Sequence, residues 1–525
     1  MTTEPRGSLE PFIKDSVKYY EHQITGVRQM AYMTNFLCAD DMGLGKSLQA
    51  LTVCAIDFYR NWISKVIIVA PVTLRGNWAD EIEKFTGGST VTAEPIRFMM
   101  FGEEIKDDGS KKKLGPKARE AQLAEFKEWT GPKMLVCNYE QLIPHVKEMN
   151  RIGFDVAIFD EAHYIKNYQG VDAKGKPKGA ARAHAAHMLK TKRTMLLTGT
   201  PLLNQVNELW SLLNKMDPVA FPDYWRFINR YCVFGGFKDK AIVGVKNEKE
   251  LMSRLQNYMI RRLKSEVLDL PDVQIVQRKV DLSPEQKKLY DEAKDNLKIT
   301  MHGDDNETEI ENALTKFLRL KQICGTTLPF TGEDISTKLD LAIEDAIAVM
   351  KEGHKIVVFT QFRPVLEAFC QRLEAHGKKH KDEDFDIWEL HGDIKSETRQ
   401  PIVHQWSNNV NEKGQPKAGA IVCMLQVAGV GLNMTASRHA FFIDKLFVPG
   451  LNQQAIDRLH RIGASESQPV QVFEYIVRKT IENRVEQILA TKTKTFNSII
   501  NDDGSFKKRL IAALLAEEAE DEIDD

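Results

Sequence analysis

The chain has 525 residues, 42% of them hydrophobic and 28% charged, with 72 Lys and Arg against 74 Asp and Glu for a net charge of −2. This is the composition of a soluble globular protein with a sizeable core, and near-neutrality excludes an overall basic footprint, so any nucleic-acid surface must be a local patch. The length is too great for one core and predicts roughly three or four structural units. Met1–Lys18 is polar and mixed in charge without a signal-type apolar region, and no apolar run approaches the ~18 residues that span a bilayer. Seven scattered cysteines (38, 54, 137, 232, 324, 370, 423) form no Cys-x-x-Cys, as expected of buried, reduced thiols in a reducing compartment. A soluble, unanchored cytoplasmic protein is expected.

In chain order, the first informative stretch is Cys38-Ala39-Asp40-Asp41-Met42-Gly43-Leu44-Gly45-Lys46-Ser47. It lies between the apolar run Asn35–Cys38 and a segment whose Leu48, Leu51, Thr52, Ala55 and Ile56 share one helical face. A strand, a glycine turn and Lys-Ser opening a helix make a phosphate cradle. Backbone N–H groups point at the anion, Lys46 reaches the β- and γ-phosphates, and Ser47 can ligate Mg2+. The general pattern has glycine six residues before the lysine, where this chain has Asp40, so the stretch alone also reads as an ordinary glycine-rich turn.

Lys65–Pro71, Lys133–Asn138, Asp155–Asp160 and Thr194–Gly199 are apolar runs of the kind that form strands buried on both faces. Their alternation with helical patterns predicts a parallel sheet covered by helices, with functional loops at the strands' carboxyl ends. From about Leu213 to Lys338, strand-type runs thin out and charged, aromatic helical segments dominate, such as Asp281–Ile299 and Glu309–Cys324, with a polar break at Met301–Thr308. A second alternating region holds His354–Thr360, Phe385–Leu390, Ala420–Met424, Ala440–Asp444 and Val470–Tyr475. The expected fold class is α/β, two parallel-sheet units separated by helices. Lys111-Lys112-Lys113 and Lys174–Lys178 each read as a solvated loop or a phosphate-contacting one, and the acidic Glu517–Asp525 as a disordered solubilising tail or a DNA mimic.

Three constellations carry chemistry. Asp160-Glu161-Ala162-His163 directly follows a strand: a carboxylate there facing the phosphate loop can hold Mg2+, and Glu161 can orient or deprotonate the attacking water. Thr198-Gly199-Thr200-Pro201 supplies hydroxyls and a tight turn after the next strand. In Gln453–Gly463, Arg458 and Arg461 stand three apart, nearly one helical turn, so both guanidinium groups can point one way, at a phosphoryl group in the transition state. His184/His187 and His376/His380 lack nearby carboxylate or cysteine partners in sequence and read as surface pairs rather than metal ligands.

In this order the motifs resemble those of the Swi/Snf family of DNA-dependent ATPases, within the DEAH-type superfamily 2 helicases, from about Tyr19 to Leu515. Asp40 then matches, because the family's phosphate loop carries Asp at that position. His22-Gln23 resembles the adenine-reading motif; Pro71–Leu74 with Asn77-Trp78, Asn138-Tyr139-Glu140 and Ile165-Lys166-Asn167 resemble first-lobe motifs; Arg261-Arg262-Leu263-Lys264 and Leu320–Cys324 are specific to this family. Phe359–Phe362, His391-Gly392, Gly429–Asn433 and Gln454–Gly463 resemble second-lobe motifs. Departures at Met424, Ala428, Phe447-Val448-Pro449 and Ala464 leave the ATP chemistry intact and bear on how the second lobe couples to a DNA strand.

The resemblance implies two RecA-like lobes, 1–215 and 336–490, a helical insertion at 216–335, and a brace helix with acidic tail at 491–525. It implies ATP and Mg2+ as cofactors. The nucleotide would be held by His22, Gln23, Asp40, Asp41, Met42, Gly43, Leu44, Gly45, Lys46, Ser47 and Gly431, and the metal by Ser47 and Asp160. Lys46, Asp160, Glu161, Gln454, Arg458 and Arg461 would be catalytic, and Pro71, Thr73, Asn138, Tyr139, Lys166, Gln361, His391 and Gly392 would contact DNA. The expected function is ATP-driven translocation on duplex DNA by a stand-alone monomer of prokaryotic or viral type, nucleoid-associated when bound. The alternatives are a strand-separating DNA or RNA helicase and an ATP-gated DNA clamp.

Overall fold

The apolar runs fold as parallel strands buried on both faces, in two separate sheets of a computed structural model. The structure describes residues 17–86, 96–105, 111–171, 177–199, 206–235, 241–268, 272–301, 317–383, 385–411, 414–428, 432–447, 449–461, 469–487 and 489. The chain divides into two units, Met1–Val233 with Gly244–Leu270, and Phe234–Val243 with Pro271–Asp525.

The first unit's sheet contains β1 (Phe36–Cys38), β2 (Lys65–Ala70), β3 (Arg97–Met100), β4 (Lys133–Asn138), β5 (Val156–Asp160), β6 (Arg193–Leu197) and β7 (Met259–Ile260), in the order β7-β1-β6-β5-β2-β4-β3. Every pairing is parallel. The central strands expose no side chain along Val66–Ala70, Lys133–Val136 or Val156–Phe159, which is why they read as continuous apolar runs rather than alternating ones. The second unit's sheet contains β8 (Val273–Val280), β9 (Lys355–Thr360), β10 (Asp386–Leu390), β11 (Gly419–Met424), β12 (His439–Phe442) and β13 (Val470–Val477), ordered β8-β13-β12-β9-β11-β10 and again wholly parallel. Cores lie on both faces of it, one built around Trp406, Phe359 and Phe442, the other around Phe369, Phe441 and Leu339.

Residues 216–335 do not stand as a helical insertion of their own. β7 completes the first sheet and β8 edges the second, while Tyr290, Phe317, Leu320 and Ile323 pack with Val477 and Ile481 in the second unit's core. Two strands escape a reading of the sequence for physical reasons. β7 is only two residues long, and β8 (Val-Gln-Ile-Val-Gln-Arg-Lys-Val) is an exposed edge whose polar residues suit solvent and discourage further pairing. The expected helix over 281–299 is present as Pro284–Met301; residues 302–316 and the expected brace and tail at 491–525 lie outside the described residues. All seven cysteines are buried and unpaired with one another. His187 is not a surface residue: its ring stacks on Tyr168 at 3.7 Å and bonds the carbonyls of Ala183 and Ser211. Among the described residues, no helix is long and apolar enough to cross a membrane.

The second unit is pinned by a buried ion pair. Lys338, with no exposed surface, donates to Glu482 and to the Ile443 carbonyl at 3.0 Å, while Glu482 also accepts from the Val477 N–H at 2.9 Å. Removing one member leaves the other charge buried and alone, so Lys338→Ala is expected to cost about 3–5 kcal/mol, and Lys338→Met with Glu482→Leu distinctly less. Denaturant unfolding of the three proteins checks this; equal losses in single and double variants would contradict it.

Candidate nucleotide site

The loop between β1 and the helix Lys46–Tyr59 is set by two glycines with φ of 85° (Gly43) and 75° (Gly45), a backbone that side-chain-bearing residues rarely adopt. At Gly45 a Cβ would also stand 2.4 Å from Gln23 Nε2. The turn therefore brings the unbonded N–H groups of a helix start to the carboxyl edge of the sheet, an anion-binding arrangement. Lys46 folds its ammonium onto the loop itself, donating to the Asp40 and Asp41 carbonyls at 2.8 and 3.1 Å. His22 Nε2 and Gln23 Nε2 both lie 3.2 Å from the Leu44 carbonyl, and Gln23 Oε1 accepts from the Tyr20 N–H at 3.1 Å. Burial holds the His22 imidazole below its usual range, which favours a neutral ring donating to Leu44. The two residues brace the loop in this structure.

Asp40 is the departure that distinguishes the loop, and its side chain does not face a ligand. It is fully buried. Arg262 donates Nε to Oδ1 at 3.0 Å and Nη2 to Oδ2, and Gln49 donates to Oδ2 at 3.2 Å. Donors from the chain thus take both its oxygens, so any part Asp40 has in holding the nucleotide falls to its backbone. Asp41 similarly accepts from the Lys264 N–H at 3.1 Å.

Register places the other strand ends beside this loop. Cys38 pairs with Leu197, and Leu197 with Asp160, so the phosphate loop, the Thr198-Gly199 turn and the Asp160-Glu161 pair leave three adjacent strands together. A Cβ at Gly199 would come within 2.6 Å of Met42 Cγ and 3.5 Å of Lys46 Nζ. Asp160 Oδ2 accepts from the Trp78 indole N–H at 2.8 Å, and Oδ1 from the Glu161 N–H at 2.9 Å. Burial first, and the Glu161 charge next, raise the Asp160 carboxyl above the usual carboxylate range. Glu161 has φ 49°, a left-handed backbone that costs a non-glycine residue about 1–3 kcal/mol and concentrates at functional sites; its carboxylate lies 3.2 Å from His163 Nδ1. Two mutually repelling carboxylates within reach of the Lys46 charge supply oxygen donors of the kind a hard divalent cation with phosphate oxygens takes. Trp78 is an orienting residue to which sequence reasoning gives no role; only the Asn77-Trp78 motif hints at it.

The expected DNA contacts on this unit divide. Tyr139 is fully buried, donating its hydroxyl to the Asp160 carbonyl at 2.7 Å and stacking on Tyr164. Asn138 caps the helix Tyr139–Ile152, accepting from the Gln141 N–H at 2.7 Å. Both therefore support the site's backbone, and their side chains are not presented to a strand of DNA, contrary to expectation. Lys166 pairs with Glu208 at 2.8 Å. Pro71 is buried and Thr73 half-buried, in a single 3-10 turn after β2.

On the second unit, Gln361 donates its N–H to Asp444 Oδ1 at 3.0 Å, and its side-chain amide nitrogen is buried without a partner among the described residues. His391 Nδ1 accepts from Arg363 at 2.7 Å, and a Cβ added at Gly392 beside it would meet only open space. Gln454 and Arg458 are buried and Arg461 half-buried. The helix Pro449–Ile456 ends before either arginine. Past its end Arg458 N bonds Ala455 O at 3.2 Å, Leu459 N bonds Ile456 O at 3.0 Å and His460 N bonds Ile456 O at 3.1 Å, so the chain continues in mixed three- and four-residue turns. Gly431, Thr200, Pro201 and Ile462–Ala464 lie outside the described residues.

Residues 22–327 match the SNF2-related domain, and residues 338–463 match the helicase conserved C-terminal domain. The chain belongs to the SNF2-related (Swi/Snf) family. This SNF2-related chain is 27% identical over 508 residues to an uncharacterized ATP-dependent helicase of Mycoplasma pneumoniae, covering 96% of this chain and 43% of that one. It is 28% identical over 509 residues to a DNA annealing helicase and endonuclease of Mus musculus, covering 94% and 41%. It thus spans about two fifths of the length of these relatives. Among solved structures it is similar to the Sulfolobus solfataricus SWI2/SNF2 ATPase core in complex with dsDNA, at 25% identity and a TM-score of 0.41, covering 94% and 95%.

The Gly199 contacts give a direct test of the site's packing. Gly199→Ala pushes a methyl group against the Met42 side chain and backbone and is expected to destabilise the first unit by about 1–3 kcal/mol, the usual cost of overpacking. Thermal unfolding indistinguishable from wild type would show that the turn and the loop are not in contact.

Proposed function

We propose that this chain hydrolyses ATP and couples the hydrolysis to translocation on DNA, chiefly duplex. One observation carries the ATP half: adjacent strand ends place a glycine turn with Lys46 beside the Asp160-Glu161 pair. The loop's backbone N–H groups bind the phosphates, and Lys46 exchanges the Asp40 and Asp41 carbonyls for phosphate oxygens. Ser47 and Asp160 would hold Mg2+, which would supply neutralising charge to the phosphates. The Trp78 and Glu161 N–H bonds fix the Asp160 carboxylate in one orientation. Glu161, set by its left-handed backbone, orients the attacking water and takes its proton. Arg458 and Arg461 of the second unit supply positive charge to the transferring phosphoryl group, with Gln454 assisting.

The DNA half is supported by family membership and by relatives named as helicases. Pro71, Thr73, Lys166, Gln361, His391 and Gly392 remain its contact residues, Lys166 by releasing Glu208. The protein acts as a monomer inside the cell.

Lys46→Ala or Glu161→Gln is expected to abolish phosphate release while leaving thermal stability near wild type; wild-type turnover in either would refute the site. Arg458→Ala or Arg461→Ala should lower kcat by ~10³-fold, as loss of an arginine finger does. Phosphate release measured with blunt duplex, forked DNA, single-stranded DNA and RNA tests the rest. Duplex should stimulate most; stimulation chiefly by single strands or RNA indicates a strand-separating helicase, and no sustained turnover on any of them an ATP-gated clamp.

A further inference from the structure

We infer that Arg262 is a positioning residue for ATP binding, acting on the phosphate loop from behind through Asp40. The inference rests on the ATP reading above.

The contacts converge on the loop from a segment 222 residues later in sequence. The Tyr258, Ile260 and Arg262 carbonyls accept from the N–H groups of Leu37, Ala39 and Asp41 at 2.7, 2.7 and 3.0 Å. The pairing of β7 with β1 thus continues past the strand's end and into the loop itself. The Arg262 guanidinium then binds three parts of the site's frame: both Asp40 oxygens, Gln49 Oε1 at 2.8 Å on the helix behind the loop, and the His22 carbonyl at the start of the adenine-side motif. The fit is tight, because a Cβ at Gly26 would stand 2.5 and 2.8 Å from its two terminal nitrogens.

Asp40 has no exposed surface, so its charge depends on this guanidinium. Its carbonyl is also one of the two that hold Lys46. The residue clamped by Arg262 is therefore the one against which the phosphate-binding lysine rests. A loop with glycine at this position would bury no carboxylate and would need no such partner, so Asp40 and Arg262 form one device. Losing Arg262 frees a loop that ATP must then reorder, which weakens binding more than it slows the chemistry once ATP is bound.

The test compares Arg262→Ala, Asp40→Asn and the double variant with wild type by equilibrium titration with a fluorescent ATP analogue, thermal unfolding, and kcat against KM. For Arg262→Ala, nucleotide affinity should fall about tenfold or more, KM rising in parallel while kcat at saturating ATP stays within about threefold. The double variant, with no buried charge left, should recover most of that affinity, and it decides the matter if the single variant does not fold. Wild-type affinity in Arg262→Ala with only a lowered melting temperature would overturn the inference, as would a double variant as weak as, or weaker than, the single one. Absence of ATP binding by the wild-type protein would overturn the ATP reading and the inference together.

Discussion

A carboxylate sealed from solvent inside a phosphate loop has to be neutralised by a partner of fixed geometry, and here that partner is Arg262. The bidentate fit of guanidinium to carboxylate supplies charge and direction together, while the Gln49 amide adds a second donor to Asp40 Oδ2. Everything on the ligand side of the loop follows from this anchor. The Asp40 carbonyl faces Lys46, the two glycines turn the chain into the helix, and His22 and Gln23 brace the Leu44 carbonyl. The last residues of the first unit thereby become part of its candidate nucleotide site, although they are the farthest from it in sequence within that unit.

The carboxylate pair at the sheet's edge shows the same economy of support. Asp160 is aimed by an indole N–H from the helix after β2 and by the next residue's own backbone. Tyr139 holds the Asp160 carbonyl with its buried hydroxyl, which explains an aromatic residue at this strand end. Strain at Glu161 is tolerated because strand register on one side and the following turn on the other leave the chain no other course. The second unit uses charge differently. Its buried Lys338–Glu482 pair ties β12's end to the segment after β13, and Lys445 binds Glu474 and Glu486 at 2.9 and 2.7 Å nearby. Such networks stabilise little over apolar packing, but they penalise any arrangement that separates their members.

Much of the protein was determined by the sequence alone. Strands buried on both faces of parallel sheets have to be continuous apolar runs, so most of both sheets, the glycine turn and the carboxylate pair after β5 are legible as local patterns. Family membership is legible for the same reason, as an ordered series of short motifs. What only the tertiary structure decided are the facts made by residues distant in sequence. A two-residue strand such as β7 has no periodicity to read, and an exposed edge such as β8 has no apolar signature, so residues 216–335 read in sequence as a separate insertion. Asn138 and Tyr139 look like ligand contacts, because nothing in a sequence says whether a polar side chain points outward or caps its own helix. Asp40 is the sharpest case: its presence is read from the sequence, but its purpose depends on Arg262, and only the fold brings the two charges together.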